Sequence, residues 1–399
     1  MTPDHASNLD WLDGLQNSGI RPGLRRMRAL LRALRNPEAG VPAIIVAGTN
    51  GKGSTSATLA SILRHSGYRT ALYTSPHLVD LRERWSIDGQ PIDAEALDRA
   101  IRQLQVVAKT TSILPTYFEA LTLLAFIAFA EARCDVSVLE VGMGGRLDAT
   151  NVVRPLAALI TPIGLDHTEY LGNTIRQIAR EKAGVIHRGA IVLTSNEDPA
   201  IVEVLRRRAA QFAAPFHLVD ESHPTPLRGP FQSRNAALAV RAAEELRGRF
   251  PAITTDSIER GVAATRWRGR LERFKREGHE IWVDGCHNAH AAEAIAPFID
   301  GSLPRPRLLV FGIMGDKDVA RVVEILFPRF DSIITTEPYP PRSVPSDQLA
   351  SLARERGIPV VSVQDPASAL RLALQSEIET IFVGGSLYLA GSAIAFLES

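Results

Sequence analysis

The sequence predicts an α/β protein: a doubly wound, mostly parallel sheet with a phosphate-binding loop, followed by a smaller α/β domain. Three observations predict it. The apolar run Ala43 to Val46, the loop AGTNGKGST at 47–55 and the small, apolar stretch Ser56 to Leu63 read as strand, glycine loop and helix. Downstream, short apolar runs alternate with helical patterns, which is the rhythm of βαβ units. Near residue 270 that rhythm starts afresh. A chain of 399 residues has room for about two domains with cores of their own, and the division expected is 1–268 and 269–399.

The loop sets the chemistry. Backbone N–H groups of Gly51, Gly53 and Ser54 can turn around anionic oxygens, and glycine permits the close approach. The following helix N-terminus adds partial positive charge. Lys52 offers a point charge to β- and γ-phosphates, and Ser54 or Thr55 a hydroxyl to Mg²⁺. The spacing departs from the usual P-loop, with Val46 at the first glycine position and Gly53 at the hydroxyl position.

Ahead of the loop, Leu24, Met27, Leu30, Leu31 and Leu34 keep helical spacing within an arginine-rich segment. Its arginines read as a solvated face, with steering of anions as the alternative. After the loop, Arg69 to Tyr73 reads as a strand ending in Thr74-Ser75-Pro76-His77, and helices are expected over 93–109 and 117–133. The strand Val136 to Val141 ends in a carboxylate, Glu140, and runs into the glycine-rich GMGGR. A carboxylate at the end of a buried strand is costly unless it meets a cation, and Mg²⁺ beside a triphosphate is a natural one. A strand at 157–160 precedes Asp166-His167, where His167 reads equally as a cap, a core residue or a metal ligand. On the helix expected at 174–186, Ile175, Ile178, Ala179, Lys182 and Val185 share one stripe, so Lys182 faces inward. Either its ammonium snorkels out or finds a partner, or desolvation lowers its pKa.

A strand at 191–194 and a helix at 199–212 follow. The proline-rich 214–231 is expected to be loop or short edge strand, and Thr265 to Glu272 a joint. Beyond it, strands near 281–284, 308–312, 332–336, 360–363 and 381–383 alternate with helices at 290–299, 317–327, 346–356 and 366–375. The strand-end loops DGCHN at 284–288 and GIMGDKD at 312–318 fall on one edge, as a cleft needs. Cys286 beside His287 reads as a small apolar turn residue rather than a nucleophile. Trp267 is expected to pin the joint and Arg270 to reach a phosphate.

A net charge of +1 argues against an extended nucleic-acid footprint. No apolar run is of membrane-spanning length, no signal peptide opens the chain, and two separated cysteines suit a reducing compartment. The expected location is therefore the cytoplasm, with small-molecule partners only and a monomeric state.

The ordered motifs resemble folylpolyglutamate synthase/dihydrofolate synthase, the folate branch of the Mur ligase superfamily. The likeness is carried by GLRRM at 23–27, AGTNGKGST, TSPHL at 74–78, FEALT at 118–122, LEVGMGGRLDATN at 139–151, LDH at 165–167, AREKAGVI around Lys182, FQSRNAAL at 231–238, GRLE at 269–272, DGCHN, MGDKD and GGSLYLAG at 384–391. Ile45, where the family usually has histidine, and Cys286, where alanine is common, are departures. The resemblance implies ATP-dependent addition of L-glutamate to dihydropteroate or folates through an acyl phosphate. It implies that Ser54, Ser75, Glu140, His167 and a carbamylated Lys182 surround two Mg²⁺ ions. ATP would be held by Asn50, Gly51, Lys52, Gly53, Ser54, Thr55, Asn235, Arg270 and Asp284. The pterin-bearing substrate would lie by Ser75, Pro76, His77, Phe118, Glu119, Thr122, Leu147, Asp148 and Ala149, and glutamate by His287. Lys52, Glu140, His167, Lys182 and His287 are thus the candidate catalytic set. Two rivals are a Mur ligase proper, which places a substrate domain before the loop where this chain has about forty residues, and a nucleotide-dependent scaffold without ligase chemistry.

Overall fold

A computed structural model describes residues 3–19 and 21–399. Among the described residues fourteen strands form two sheets. The first holds β1 (Ala43–Ala47), β2 (Thr70–Tyr73), β3 (Trp85–Ile87), β4 (Gln90–Pro91), β5 (Val136–Glu140), β6 (Ala157–Ile160), β7 (Ile191–Thr194) and β8 (Phe216–Leu218). Their order is β4-β3-β2-β5-β1-β6-β7-β8. Every pairing is parallel except at the β2–β3–β4 edge. β1 and β5 are buried along their whole length, as continuous apolar runs in the middle of a covered parallel sheet must be. In the proline-rich 214–231, expected to be loop or short edge strand, only β8 is a strand and it lies at the sheet edge.

Helix Lys52–His65 leaves β1 and packs on helices Gln232–Glu245 and Thr255–Ala263, covering one face of the sheet. Gly261 allows that approach, since a Cβ there would lie 2.4 Å from the Ile62 Cα. The other face is covered by helices Ala94–Thr111 and Tyr117–Glu131 with Arg25–Ala33. On Arg25–Ala33 the side chains of Met27, Leu30 and Leu31 are buried while Arg25, Arg28 and Arg32 are exposed, the solvated face that its spacing implies. Arg26 is the exception, paired at 3.0 Å with Glu119. Among the described residues no helix is long and apolar enough to cross a membrane.

The second sheet holds β9 (Glu272–Arg276), β10 (His279–Val283), β11 (Arg307–Phe311), β12 (Ser332–Thr335), β13 (Val360–Ser362) and β14 (Thr380–Gly384), in the order β13-β12-β11-β14-β10-β9. Only β9 runs antiparallel to its neighbour. It has two cores of its own, one on each face. The architecture is therefore a two-domain α/β fold with mostly parallel sheets. The helix expected over 174–186 is α-helical only over Ile175–Lys182 and finishes as a 3₁₀ turn, Ala183–Val185. Within that turn Gly184 lies against Arg146, where a Cβ would meet its Cα at 2.4 Å.

Candidate active site

One cavity of about 210 Å³ lies where the loops after β1, β5 and β6 face those after β10. β1 sits between β5 and β6, so the loop after it opens at the place where chain connections diverge, the usual site for a ligand in such sheets. Gly51 takes φ 87°, and helix Lys52–His65 starts immediately, so its first turn, Lys52 to Ser54, lines the cavity. Two further approaches require glycine: a Cβ on Gly48 would lie 1.8 Å from Thr161 Oγ1, and one on Gly53 2.7 Å from Trp267 Nε1. Trp267 thus braces the phosphate loop from the joint.

The loop lysine folds back, Lys52 Nζ donating to Thr49 O at 3.0 Å. Burial lowers its pKa, while Glu140 and Asp166 work in the opposite direction. Glu140 is buried; its pKa is raised by that burial and held down in part by the Lys52 charge and by the Ser75 N–H, which donates to Oε2 at 3.1 Å. Lys182 is buried too and donates to Gly48 O at 2.7 Å. Burial, with the Lys52 charge, lowers its pKa to about 7. It neither snorkels nor meets a carboxylate. His167 adopts left-handed backbone, φ 50°, uncommon outside glycine. This aims its ring at the second domain, with Nε2 3.4 Å from Lys317 Nζ. Burial drives its pKa down to about 4 against the pull of Asp166.

Asp166 gathers the second domain. Lys317 Nζ donates to Oδ1 at 2.8 Å, Asn288 Nδ2 donates to Oδ2 at 3.0 Å, and His287 Nε2 lies 3.7 Å from Oδ2. Although burial opposes ionisation, His287 and the Lys317 ammonium hold this carboxyl well below the usual range. Asn50 also crosses over, donating to Asn288 Oδ1 at 3.1 Å and lying 2.8 Å from His290 Nδ1. Asp284 is buried with its oxygens accepting from the Leu271 and Cys286 N–H groups, at 2.9 and 2.8 Å, and Arg270 Nη1 donates to Gly269 O at 2.8 Å. Cys286 is buried and its thiol pKa is pushed up by desolvation, so it stays a packing residue.

Of the residues expected at the site, Asn50 to Ser54, Ser75, Pro76, Glu140, His167, Lys182, Asn235, Arg270, Asp284 and His287 line the cavity. Thr55 does not; it turns away, donating to Asn235 O at 3.4 Å. The expected substrate residues beyond Ser75 and Pro76 lie outside this cavity as well. Phe118 packs where a Gly142 Cβ would be, Glu119 caps its own helix and pairs with Arg26, and Thr122 bonds Phe118 O and Tyr73 OH. Asp148 caps the turn Ala149–Val152, Ala149 is buried, Leu147 is exposed, and His77 accepts from Arg84 Nε at 2.9 Å. Sequence reasoning passed over Lys317, Asn288 and His290. It also passed over Gln232, whose Nε2 is buried at the cavity without a partner. The quoted motifs contain Lys317, Asn288 and Gln232, but nothing in spacing alone sets them apart.

For Mg²⁺ the test is the donor set. Among the described residues no group of three or more His, Cys, Asp or Glu could enclose a metal ion. Glu140, with Ser54 and Ser75 close by in the cavity wall, suits instead an ion that takes most of its oxygens from phosphate and water.

The comparisons agree with this geometry. Residues 46–225 match the family model of the Mur ligase middle domain, and residues 269–387 that of the Mur ligase glutamate ligase domain. The chain is 36% identical over 349 residues to the dihydrofolate synthase/folylpolyglutamate synthase of Bacillus subtilis, covering 79% of this chain and 81% of the relative. It is 35% identical over 427 aligned positions to a probable bifunctional folylpolyglutamate synthase/dihydropteroate synthase of Halobacterium salinarum, covering 98% of this chain but 51% of that longer protein. The solved structure of E. coli FolC in complex with DHPP and ADP superposes with a TM-score of 0.87 at 30% identity, covering 100% of this chain and 99% of the other. Fold and site together define an ATP-dependent ligase of the Mur type. Within that class the chain belongs to the folylpolyglutamate synthase/dihydrofolate synthase family.

Proposed function

We infer that this ligase joins L-glutamate to dihydropteroate, to folates, or to both, through an acyl phosphate. The observation that carries the reading is the cavity itself, where the phosphate loop, Glu140 and Lys182 face Asp284 and His287 of the second domain. The domains divide at 268/269.

The triphosphate lies on the N–H groups of Gly51, Gly53 and Ser54, with Lys52 swinging from Thr49 O to the γ-phosphate. Asn235 and the free Nε2 of Gln232 hold the nucleotide from the side of helix Gln232–Glu245, and Arg270 and Asp284 from the second domain. Two Mg²⁺ ions would be shared among Ser54, Ser75, Glu140, His167 and a carbamylated Lys182, with phosphate and water completing their oxygens, and would supply charge neutralisation of the phosphates. The substrate carboxylate, entering past Ser75 and Pro76, attacks the γ-phosphorus and ADP leaves. Lys52 stabilises the charge on the transferring group; positioning and such stabilisation are most of phosphoryl-transfer catalysis. The glutamate amine, received beside His287, then attacks the acyl carbon. The tetrahedral intermediate collapses to the amide, releasing phosphate and a proton.

The pterin end is assigned to the region of His77, Phe118, Glu119, Thr122 and Leu147 to Ala149. The enzyme is assigned a monomeric state and, from its two unpaired cysteines, a cytoplasmic location. The test is ADP release measured with dihydropteroate or a reduced folate. It should require L-glutamate, and Lys52→Ala or Glu140→Ala should lower it at least ~10²-fold. Glutamate-independent ADP release, or near-normal turnover in both variants, contradicts the reading.

A further inference from the structure

Leu271 combines two properties that rarely go together: its side chain is fully buried, and its backbone is left-handed at φ 46°. A bulky L-residue seldom takes that conformation, because its Cβ crowds the following carbonyl oxygen. Among the described residues, the other non-glycine positions with positive φ are all exposed or half-buried.

Packing holds the Leu271 side chain from two directions. It belongs to the core on one face of the second sheet. On its other side, a Cβ on Gly229 would lie 3.1 Å from Leu271 Cδ1, and Gly229 sits in the loop that leads to Phe231 and Gln232 of the cavity wall. Immediately after Leu271 the chain is committed to β9, which pairs with β10. With the side chain and the strand both fixed, φ at Leu271 decides where the preceding peptide goes. At 46° the N–H of that peptide donates to Asp284 Oδ2 at 2.9 Å, and Arg270, one position earlier, takes its place in the cavity wall. Arg270 lies over Gly285, where a Cβ would come within 2.7 Å of Nη1, and donates to Gly269 O at 2.8 Å. Extended backbone at Leu271 would turn its N–H away from Asp284 and swing Arg270 out of this seat. Strain that packing holds in place at the wall of a site is a mark of function.

We propose that Leu271 is a positioning residue for the nucleotide: its left-handed turn aims Arg270 into the cavity and keeps the Asp284 carboxylate in register with it. This rests on the reading above in which Arg270 and Asp284 hold ATP.

The experiment separates backbone from packing. Leu271→Ile keeps the apolar volume but branches at Cβ, which disfavours left-handed backbone, whereas Leu271→Met keeps volume and an unbranched Cβ. With L-glutamate and the acceptor that the parent uses, Leu271→Ile should raise the KM for ATP at least ~5-fold and leave the KM for the acceptor within about twofold. Leu271→Met should raise the KM for ATP less than half as much. Leu271→Val, branched and smaller, carries the test if Leu271→Ile does not fold. In an Arg270→Ala background Leu271→Ile should raise the KM for ATP no further, since both act through one guanidinium. A KM for ATP within about twofold of the parent in the branched variants overturns the proposal, as does an equal rise in Leu271→Met or an undiminished effect in the Arg270→Ala background. If Arg270→Ala alone leaves the KM for ATP unchanged, the assignment of Arg270 to the nucleotide fails, and this proposal with it.

Discussion

Lys182 sits where an ammonium is least welcome, buried, beside the Lys52 charge and bonded only to a carbonyl. The unfolded chain keeps this amine protonated up to its ordinary 10.5, the folded chain only to about 7. Between those values the unfolded state binds more protons, so this residue makes stability rise with pH. In CO₂-free buffer Lys182→Met should flatten that rise, checked as denaturant midpoints from about pH 7 to about pH 10; an unchanged slope would show that the amine is not perturbed. The neutral amine is also the form that adds CO₂, giving an anionic oxygen donor and releasing a proton. ¹³C NMR of the active, Mg²⁺-loaded enzyme under ¹³CO₂ should show one carbamate, lost in Lys182→Met. The inward placement of Lys182 was legible from helical spacing, since Ile178 and Ala179 share its stripe and are buried with it. Its partner was not legible, because a backbone carbonyl 134 positions away leaves no mark in a local pattern. Gln232 escaped for a similar reason: what marks it is a buried Nε2 without a partner, which only three-dimensional packing reveals.

At the scale of elements, the buried parallel strands of both sheets were read nearly to the residue, because such strands are short, continuous apolar runs, whereas the half-exposed antiparallel β9 was not given a range. The β3–β4 hairpin, the N-terminal helix Pro3–Gly14 and the last helix, Leu387–Glu398, were not foreseen. β3 and β4 are too short for an alternating pattern to register, and the last helix is apolar almost all round, which blurs its period. The loop after β1 makes the sharpest demand on sequence. Gly48 has φ 144° and no space for a side chain, while Gly248, with ordinary backbone, has nothing within 4 Å of its would-be Cβ. Gly48→Ala should therefore cost about 2–4 kcal/mol in unfolding free energy through strain and overpacking. Gly248→Ala should be neutral or slightly stabilising. Equal denaturant midpoints for the two variants would mean that the loop yields at no cost.

At the scale of the molecule, the two domains are joined at the site by an ion pair that is buried on both sides, Lys317 and Asp166 at 7% and 9% side-chain exposure. Removing one partner strands the other charge, so Lys317→Met should lose about 3–5 kcal/mol, whereas the double variant with Asp166→Asn should recover at least ~1 kcal/mol of it. Strict additivity of the two single losses would show that the contact does not couple the domains. Turnover should stay low in all three, since stability is restored but the geometry of the cleft is not. That a cleft would form was legible in the strand-end loops DGCHN and GIMGDKD. Which side chains cross it was not, because domain orientation is set by contacts such as Leu78 against Gly391 that no single segment encodes.

The central claim is that the acceptor carboxylate passes through an acyl phosphate, and isotope transfer tests it most directly. Dihydropteroate or a reduced folate labelled with ¹⁸O in its reacting carboxylate is turned over with ATP and L-glutamate, and the released phosphate is analysed by mass spectrometry. An acyl phosphate leaves its bridging oxygen with phosphorus when the amine displaces it. The account predicts one ¹⁸O in each phosphate released, one phosphate for each amide formed. Amide formed with unlabelled phosphate would contradict it.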